Sequence, residues 1–388
     1  MPKILYTSFD TVPAPKGASV HISYFTKTLT EHGYNVTLFT PAGKDQKEKD
    51  IYMGAEIKRV KIEESNFLKK TLAFLRAVEK ELDRDYDLVH FRSIWDGISI
   101  VKKQNKSYRT LYEANGFPSI ELPYHYPRLR NEQILKKIRL NEIICLKEAD
   151  FIICPSGVIR DYITSLGIIE DKVKIIPNGA NTDIFNVCPM PDLPLKILYV
   201  GTLTPWQGIF SLLDALCIIK KKKKNFILNI LSDRKKIFEK ALTDYASRLN
   251  LTDQIKFLEP VEEERVASII SESHICVSPL EYSERNLIQG CCPLKILEYM
   301  SCGRPVIASD IPCVKEIIDH NIDGILCNTA DKEKLAQVIL ILAENPELME
   351  RIRIKGSLKV REKFTWHISG EKLLDTYLTL LQGDKLFR

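Results

Sequence analysis

The sequence predicts two α/β domains of the open, doubly wound kind, and three observations carry the prediction. Short apolar runs alternate with longer amphipathic stretches, the order that builds a parallel sheet covered by helices on both faces. A proline-rich piece from Pro189 to Pro194 interrupts the alternation, which then starts again. The 388 residues are 45% hydrophobic and 28% charged, a globular composition. At roughly 100 to 200 residues per domain that length suits two cores.

In the first half, "KILYTSF" reads as a strand, "ASVHISYFTKTLTEHG" has a helical period that stops at Gly33, and "YNVTLFTP" is a second strand. A basic amphipathic helix from roughly Phe67 to Leu82 leads into the strand "YDLVHFRS". Strand-like "RTLYEA" follows, then a helix from about Asn131 to Ala149 and the strand "DFIICPS". In the second half "LKILYVGTL" opens a new series: a helix to about Lys221, "NFILNIL", a helix to about Arg248, "IKFLEPV", and a helix before "HICVSPL". A helix starting near Pro293, then "RPVIASD" and "GILCN", complete it. From Asp331 to Leu381 helix follows helix, ending in an amphipathic stretch that begins at Trp366. The expected division is 1–188, 189–365, and a terminal segment 366–388 packing back on the first domain.

Composition excludes several classes. No apolar run approaches the ~20 residues that span a bilayer, and the N-terminus enters a strand at once, so neither a membrane span nor export is expected. The ten cysteines mostly sit inside apolar runs, as reduced thiols of a cytoplasmic protein do. Cys291, Cys292 and Cys302 lack the paired short spacings of a zinc site, so no metal is expected. A net charge of +5 is too slight to imply a nucleic-acid partner, although it permits contact with an anionic membrane surface. The basic run Lys220 to Lys224 reads either as a solvated helix end or as a lipid-facing patch.

Parallel sheets bind ligands beyond the carboxyl ends of their strands, so the loops there hold the candidates. Gly17, Ala18 and Ser19 stand before a helix after the first strand, where free amides and the helix dipole favour an anion, or where the chain is simply capped. After the first strand of the second half, Gly201 allows close approach and Gly208 starts a helix whose amides suit a phosphate. Gln207 offers an amide there, and Trp206 is a lid or a stacking surface. Gly290, Cys291 and Cys292 form a turn that exposes amides, and Pro293 suits the first turn of the next helix. Lys295 lies near that helix N-terminus, against the dipole, which a facing phosphate would explain. Glu298 shares its face and has the oxygens to grip two vicinal hydroxyls, or the two form a surface pair. Neither a dinucleotide fingerprint nor a Walker loop occurs, which disfavours a plain NAD-linked dehydrogenase.

With "PKGASVHISYFTKTLTEHGYNVTLFTP", "IIPNGANTDIF", "YVGTLTPWQG" and "PLKILEYMSCGRPVIASDIPCVKEII" in this order, the sequence resembles family 4 of the glycosyltransferases. These are retaining enzymes of the GT-B fold, two facing Rossmann-like domains with an interdomain cleft. The likeness covers almost the whole chain, with Pro293–Met300 as a PLK-x-x-EYM form of the donor motif. It implies a nucleoside diphosphate sugar donor, UDP- or GDP-linked, and no separate cofactor. The ribose hydroxyls would meet Glu298, the diphosphate would lie between Gly17 and the Thr202 to Gly208 loop with Gln207, and the sugar near Gly290, Cys291 and Cys292, with Ala18 and Leu294 as further donor-binding residues.

The chain departs from the family in three places. Gly290 stands where the first of the family's two carboxylates belongs. Thr202 and Gln207 stand where its arginine and lysine belong, so Lys295, then Arg285, are the candidates to neutralise the leaving group. Asn115 stands where the family has a histidine near the sugar. Asn115 could donate or accept a sugar hydrogen bond, Glu113 could also reach the sugar or instead stabilise the strand end, and His90 could face the acceptor or be structural.

The implied reaction transfers the sugar, with retention, to a hydroxyl of a saccharide or lipid-linked saccharide in bacterial cell-envelope polysaccharide or glycolipid synthesis. It would run in the cytoplasm at the inner face of the membrane, where "FLKKTLAFLRAVEK" and "LRNEQILKKIRLNEII" could rest, although the two read equally well as ordinary surface helices. A nucleotide-sugar epimerase of the same fold, or a non-catalytic carbohydrate-binding subunit, are the competing readings.

Overall fold

A computed structural model of the protein describes residues 1–126, 131–222, 224–233 and 236–382. Leu129 and Arg130 of one basic segment, Lys223 of the lysine run, and 383–388 of the terminal segment lie outside them. The chain folds as two compact units, Met1–Pro177 with His367–Arg388, and Asn178–Trp366.

The first unit runs β1 (Lys3–Thr7), α1 (Gly17–Glu31), β2 (Asn35–Pro41), β3 (Lys49–Tyr52), β4 (Ala55–Val60), α2 (Phe67–Glu81), β5 (Leu88–Phe91), α3 (Ile94–Lys102), β6 (Arg109–Glu113), α4 (Pro118–His125), α5 (Glu132–Glu148), β7 (Phe151–Cys154), α6 (Gly157–Ser165) and β8 (Val173–Ile175). Its eight-stranded sheet has the order β3-β4-β2-β1-β5-β6-β7-β8 and is parallel except for β3. Central strands such as β5 are buried along their whole length, which is why they read as unbroken apolar runs. Two of the helices begin at asparagine caps: Asn66 accepts from the Lys69 amide before α2, and Asn131 from those of Gln133 and Ile134 before α5.

Three elements depart from the expectation. α1 already includes Gly17, Ala18 and Ser19 as its first turn, and it stops at Glu31, with Gly33 left-handed beyond it at φ 81°. The hairpin β3–β4 turns on Met53 and Gly54, both with positive φ; methionine is not a residue that announces such a turn. Helix α3 is nine residues long and mostly buried, so it shows no polar stripe, although Ser93 and Asp96 form a capping box at its start.

The second unit runs β9 (Leu195–Val200), α7 (Ile209–Lys221), β10 (Phe226–Leu231), α8 (Lys236–Arg248), β11 (Ile255–Leu258), α9 (Glu263–Ser271), β12 (Ile275–Ser278), α10 (Leu294–Ser301), β13 (Val306–Ser309), α11 (Pro312–Lys315), β14 (Ile325–Cys327), α12 (Lys332–Glu344) and α13 (Pro346–Lys363). Its six strands are all parallel, in the order β11-β10-β9-β12-β13-β14. The proline-rich piece before β9 is fastened to this unit. Arg304, 1% exposed, donates to the carbonyls of Cys188 at 3.0 Å, Pro189 at 2.7 Å and Ser271 at 2.6 Å. Such a buried guanidinium is tolerable because carbonyls take up its donors.

The last helix, α14 (Trp366–Gln382), packs on the first unit. The Tyr377 hydroxyl lies 2.8 Å from His90 Nδ1, Ser369 donates to the Pro177 carbonyl, and Asp375 pairs with Lys174.

Gly179 sits where a Cβ would lie 2.3 Å from backbone atoms of both Thr365 and Trp366. Gly179→Ala is therefore expected to destabilise the second unit by about 1–3 kcal/mol, since neither contact is a side chain that can rotate away. Urea unfolding checks this, and an unchanged midpoint would show that the two segments can part at no cost.

Candidate functional site

The polar groups of the first unit converge where strands β1, β5 and β6 end. Glu113, the last residue of β6, is 2% exposed. Its Oε1 lies 2.8 Å from His21 Nε2 and 3.1 Å from Arg92 Nε; its Oε2 accepts from the Tyr6 hydroxyl at 2.8 Å and lies 3.1 Å from His90 Nε2. Burial alone would raise the Glu113 carboxyl, but Arg92 and His21 outweigh it and hold the group well below the usual carboxylate range. Burial lowers His90, so this imidazole is neutral, and it stacks on Tyr6 with ring centroids 4.3 Å apart.

This cluster relates the first-unit candidates to one another. Asn115 donates through Nδ2 to Glu113, and Arg92 donates through Nη1 to the Ala18 carbonyl at 3.1 Å. Gly17 is exposed and Ala18 partly so, and the Lys16 side chain does not cap their helix, which leaves first-turn amides facing outward. His90, considered as an acceptor-facing residue, is wholly buried between Glu113 and Tyr377. Sequence reasoning passed over His21, Arg92 and Tyr6. A signal existed for Arg92, which follows β5 as Asn115 follows β6.

In the second unit the candidates gather around a glycine turn. Gly201 follows β9 at φ 142°, and a Cβ there would fall 2.7 Å from Lys295 Nζ. The Lys295 side chain leaves α10, is 9% exposed, and donates to Gln207 Oε1 at 2.6 Å. Its ammonium also lies 4.4 Å from the centroid of Tyr199, whose hydroxyl donates to the Thr202 carbonyl at 2.8 Å. The surface pair that the sequence allowed for Lys295 and Glu298 is thus replaced by a buried lysine reaching across to the β9 loop. Burial lowers Lys295 to about 7, against the pull of Cys291 and Glu298. Glu298, whose rim reaches solvent, is raised to about 7 by burial first and by Glu263 second.

Gly208 caps α7 in the left-handed region at φ 68°, where a Cβ would collide with the Pro279 carbonyl oxygen at 1.6 Å, so only glycine fits. Trp206 is buried at 6% exposure with the Arg285 guanidinium 5.6 Å above its ring, which makes it a lid on this corner. Gly290 turns the chain at φ 77° after a short helical segment Arg285–Gln289, and Cys291 and Cys292 lead to Pro293, which caps α10 from outside instead of occupying its first turn. The Cys292 carbonyl accepts from Asn178 at 2.6 Å, and Leu294 is half-buried. The unit therefore brings Gly201, Thr202, Gln207, Lys295 and the ring of Tyr199 into one corner, with Arg285 and Cys291 in electrostatic reach of Lys295. Tyr199 was not foreseen, because in "LKILYVGTL" it reads as one more strand residue. A buried ammonium beside a glycine turn and a helix N-terminus suits an anion with several oxygens.

Residues 15–184 match the family described as Glycosyltransferase Family 4, and residues 194–345 the family described as Glycosyl transferases group 1. An amylovoran biosynthesis glycosyltransferase of Erwinia amylovora is 23% identical over 65% of this chain and 62% of its own length, so the match spans under two thirds of that relative. A phosphatidyl-myo-inositol mannosyltransferase of Mycobacterium leprae is 23% identical over 96% of this chain and 95% of its own. Among solved structures, a sucrose-phosphate synthase of Thermosynechococcus elongatus gives a TM-score of 0.82 at 19% identity, over 99% of this chain and 100% of that one. Anabaena HepE in complex with UDP-glucose gives 0.75 at 16% identity, over 98% and 100%. The fold is GT-B.

Glu113→Gln should cost the first unit about 3–5 kcal/mol at neutral pH, because Arg92 stays buried without its carboxylate. The carboxyl is depressed on folding, so its stabilisation is complete above the unfolded value of about 4.3 and is lost as pH falls toward the folded one. Denaturant unfolding at pH 7 and at progressively lower pH checks both points. The gap between wild type and variant should narrow in acid, and equal stability at pH 7 would refute the buried pair.

Proposed function

We propose that this chain, which belongs to the glycosyltransferases through its family 4 and group 1 regions, transfers a sugar from a nucleoside diphosphate sugar to an acceptor hydroxyl with retention at the anomeric carbon. The observation that carries the reading is the buried Lys295 ammonium at the Gly201 turn, held by the neutral amide of Gln207. A cation desolvated in this way is stabilised further by a diphosphate, and the charge that develops on the leaving group is what it would meet. Arg285 is the second cation on this corner. Thr202, Gly208 and the amides of Cys291, Cys292 and Leu294 orient the donor, while the Gly290 amide is spent on the Arg285 carbonyl at 3.0 Å and shapes the turn, and Glu298 accepts from the ribose hydroxyls.

In the first unit Asn115, fixed by Glu113, hydrogen-bonds a sugar hydroxyl, and Gly17 and Ala18 offer unused amides to a donor oxygen. The departing phosphate stays beside the sugar, takes the proton of the incoming hydroxyl, and lets it attack from the same face. Orientation and charge stabilisation are the protein's share of the work. UDP is the nucleotide to test first, because a neighbour of the same fold is solved with UDP-glucose.

The acceptor we propose is a saccharide or lipid-linked saccharide of a bacterial cell envelope, by likeness to relatives named for amylovoran biosynthesis and for phosphatidyl-myo-inositol. Basic helices α2 and α5 each expose a leucine, Leu72 at 55% and Leu140 at 59%, which supports resting on an anionic leaflet. No helix among the described residues is long and apolar enough to cross a membrane.

A panel of nucleotide sugars, scored first by thermal protection and then by product formation, tests the reading. No protection and no transfer with any donor would overturn it. Lys295→Ala should lower kcat/KM by roughly 10²–10³; a wild-type rate would pass the role to Arg285.

Binding should also move protons. At pH 8 the free Lys295, at about 7, is mostly neutral, and an adjacent diphosphate favours its charged form. Glu298 is already ionised there. UDP binding at pH 8 should therefore take up close to one proton and weaken as pH rises further, which calorimetry in buffers of different ionisation enthalpy measures. Lys295→Met should abolish the uptake.

A further inference from the structure

We propose that Cys291 is a site of reversible oxidation, at which a hydroperoxide is reduced by the thiols of Cys291 and Cys313 and the two sulfurs are joined as a disulfide. The Sγ atoms stand 3.7 Å apart. Cys291 lies on the loop between Gly290 and α10 and is partly exposed, while Cys313, on α11, is 1% exposed with its sulfur 3.5 Å from the Asn286 carbonyl. Cys291 is thus the more exposed residue of the pair and Cys313 its buried partner. A disulfide places the sulfurs at about 2.05 Å, so an approach of about 1.7 Å completes the bond.

The surroundings favour Cys291 as nucleophile. The hydrogen bond from Cys313 lowers the Cys291 thiol most, burial opposes this, and Arg285 and Lys295 lower it further, a balance that favours the thiolate. Cys313 is pushed upward, as the partner that keeps its proton. Cys188 and Cys217, also partly exposed, hydrogen-bond to the Asn186 and Leu249 carbonyls instead.

The chemistry balances. The Cys291 thiolate attacks one oxygen of the hydroperoxide, the O–O bond breaks, and the second oxygen leaves as an alkoxide or hydroxide that takes up a proton. The sulfenic acid formed is then attacked by the Cys313 sulfur. The S–S bond forms, the S–O bond breaks, and hydroxide leaves with the thiol proton as water. Two thiols supply two electrons to the peroxide, and an external thiol reverses the step. Once joined, the sulfurs tie the 290–292 loop to α11. On the function proposed above this loop lies beside the donor sugar, so oxidation should weaken donor binding; that consequence rests on the proposed function, whereas the thiol chemistry does not.

The full chain is treated with hydrogen peroxide at pH 7, alkylated and digested for mass spectrometry. The expected product is a Cys291–Cys313 cross-linked peptide, lighter by two hydrogens and lost on reduction with dithiothreitol. Cys313→Ser should stop the reaction at a sulfenic acid on Cys291 that dimedone labels, and Cys313→Ala serves if serine disturbs the fold. No cross-linked peptide, together with alkylation of Cys291 no faster than that of Cys188 or Cys217, would overturn the proposal. UDP binding to the reduced and oxidised chain is compared separately by calorimetry. Weaker binding after oxidation supports the control of donor binding, and equal binding by a cross-linked chain overturns that part. Absence of UDP binding by the reduced chain counts against the proposed function and leaves the thiol chemistry standing.

Discussion

A parallel sheet covered on both faces has almost no room for polar groups along its strands, and this constraint sends the charged side chains of both units to the strand ends. In the first unit β1, β5 and β6 deliver Tyr6, His90, Arg92 and Glu113 to one place, and in the second β9 delivers Tyr199 and the Gly201 turn. Burial then decides what each charge does. A carboxylate among two histidines and an arginine stays ionised, while an ammonium beside a neutral amide and an aromatic ring is driven toward neutrality.

The two clusters differ in how they settle their charge. Glu113 and Arg92 neutralise one another inside the first unit, and the remaining lone pairs of Glu113 are taken by Tyr6, Asn115 and the histidines. Such a network is rigid, and it orients Asn115 and the Ala18 carbonyl more than it offers a charge to a ligand. The corner around Lys295 is held by an amide oxygen and a π face instead, so an arriving anion gains more there than it would at a saturated ion pair.

The same corner carries the thiol pair. Arg285 and Lys295 face Cys291, so the positive field suited to a diphosphate also favours a thiolate. One electrostatic arrangement thereby underlies both the proposed donor binding and the proposed oxidation.

The two sheets, the order of strand and helix, and the loops to search are legible in the sequence, because apolar periodicity is a local property and the strand ends follow from it. Helices α2 and α5 lie within a residue of their expected ends, since Asn66 and Asn131 cap them locally. The hairpin at Met53 and the buried α3 were not legible, because one turns on a residue that rarely takes positive φ and the other hides its polar face. Lys295 could be named from its place on a helix, but that it reaches Gln207, 88 residues away, is a matter of packing. Likewise no spacing rule brings His21, Arg92 and Glu113 together, or sets Cys291 against Cys313. Contacts between distant residues depend on how helices settle on a sheet, and that is decided only when the whole unit excludes water and each buried charge must find its partner.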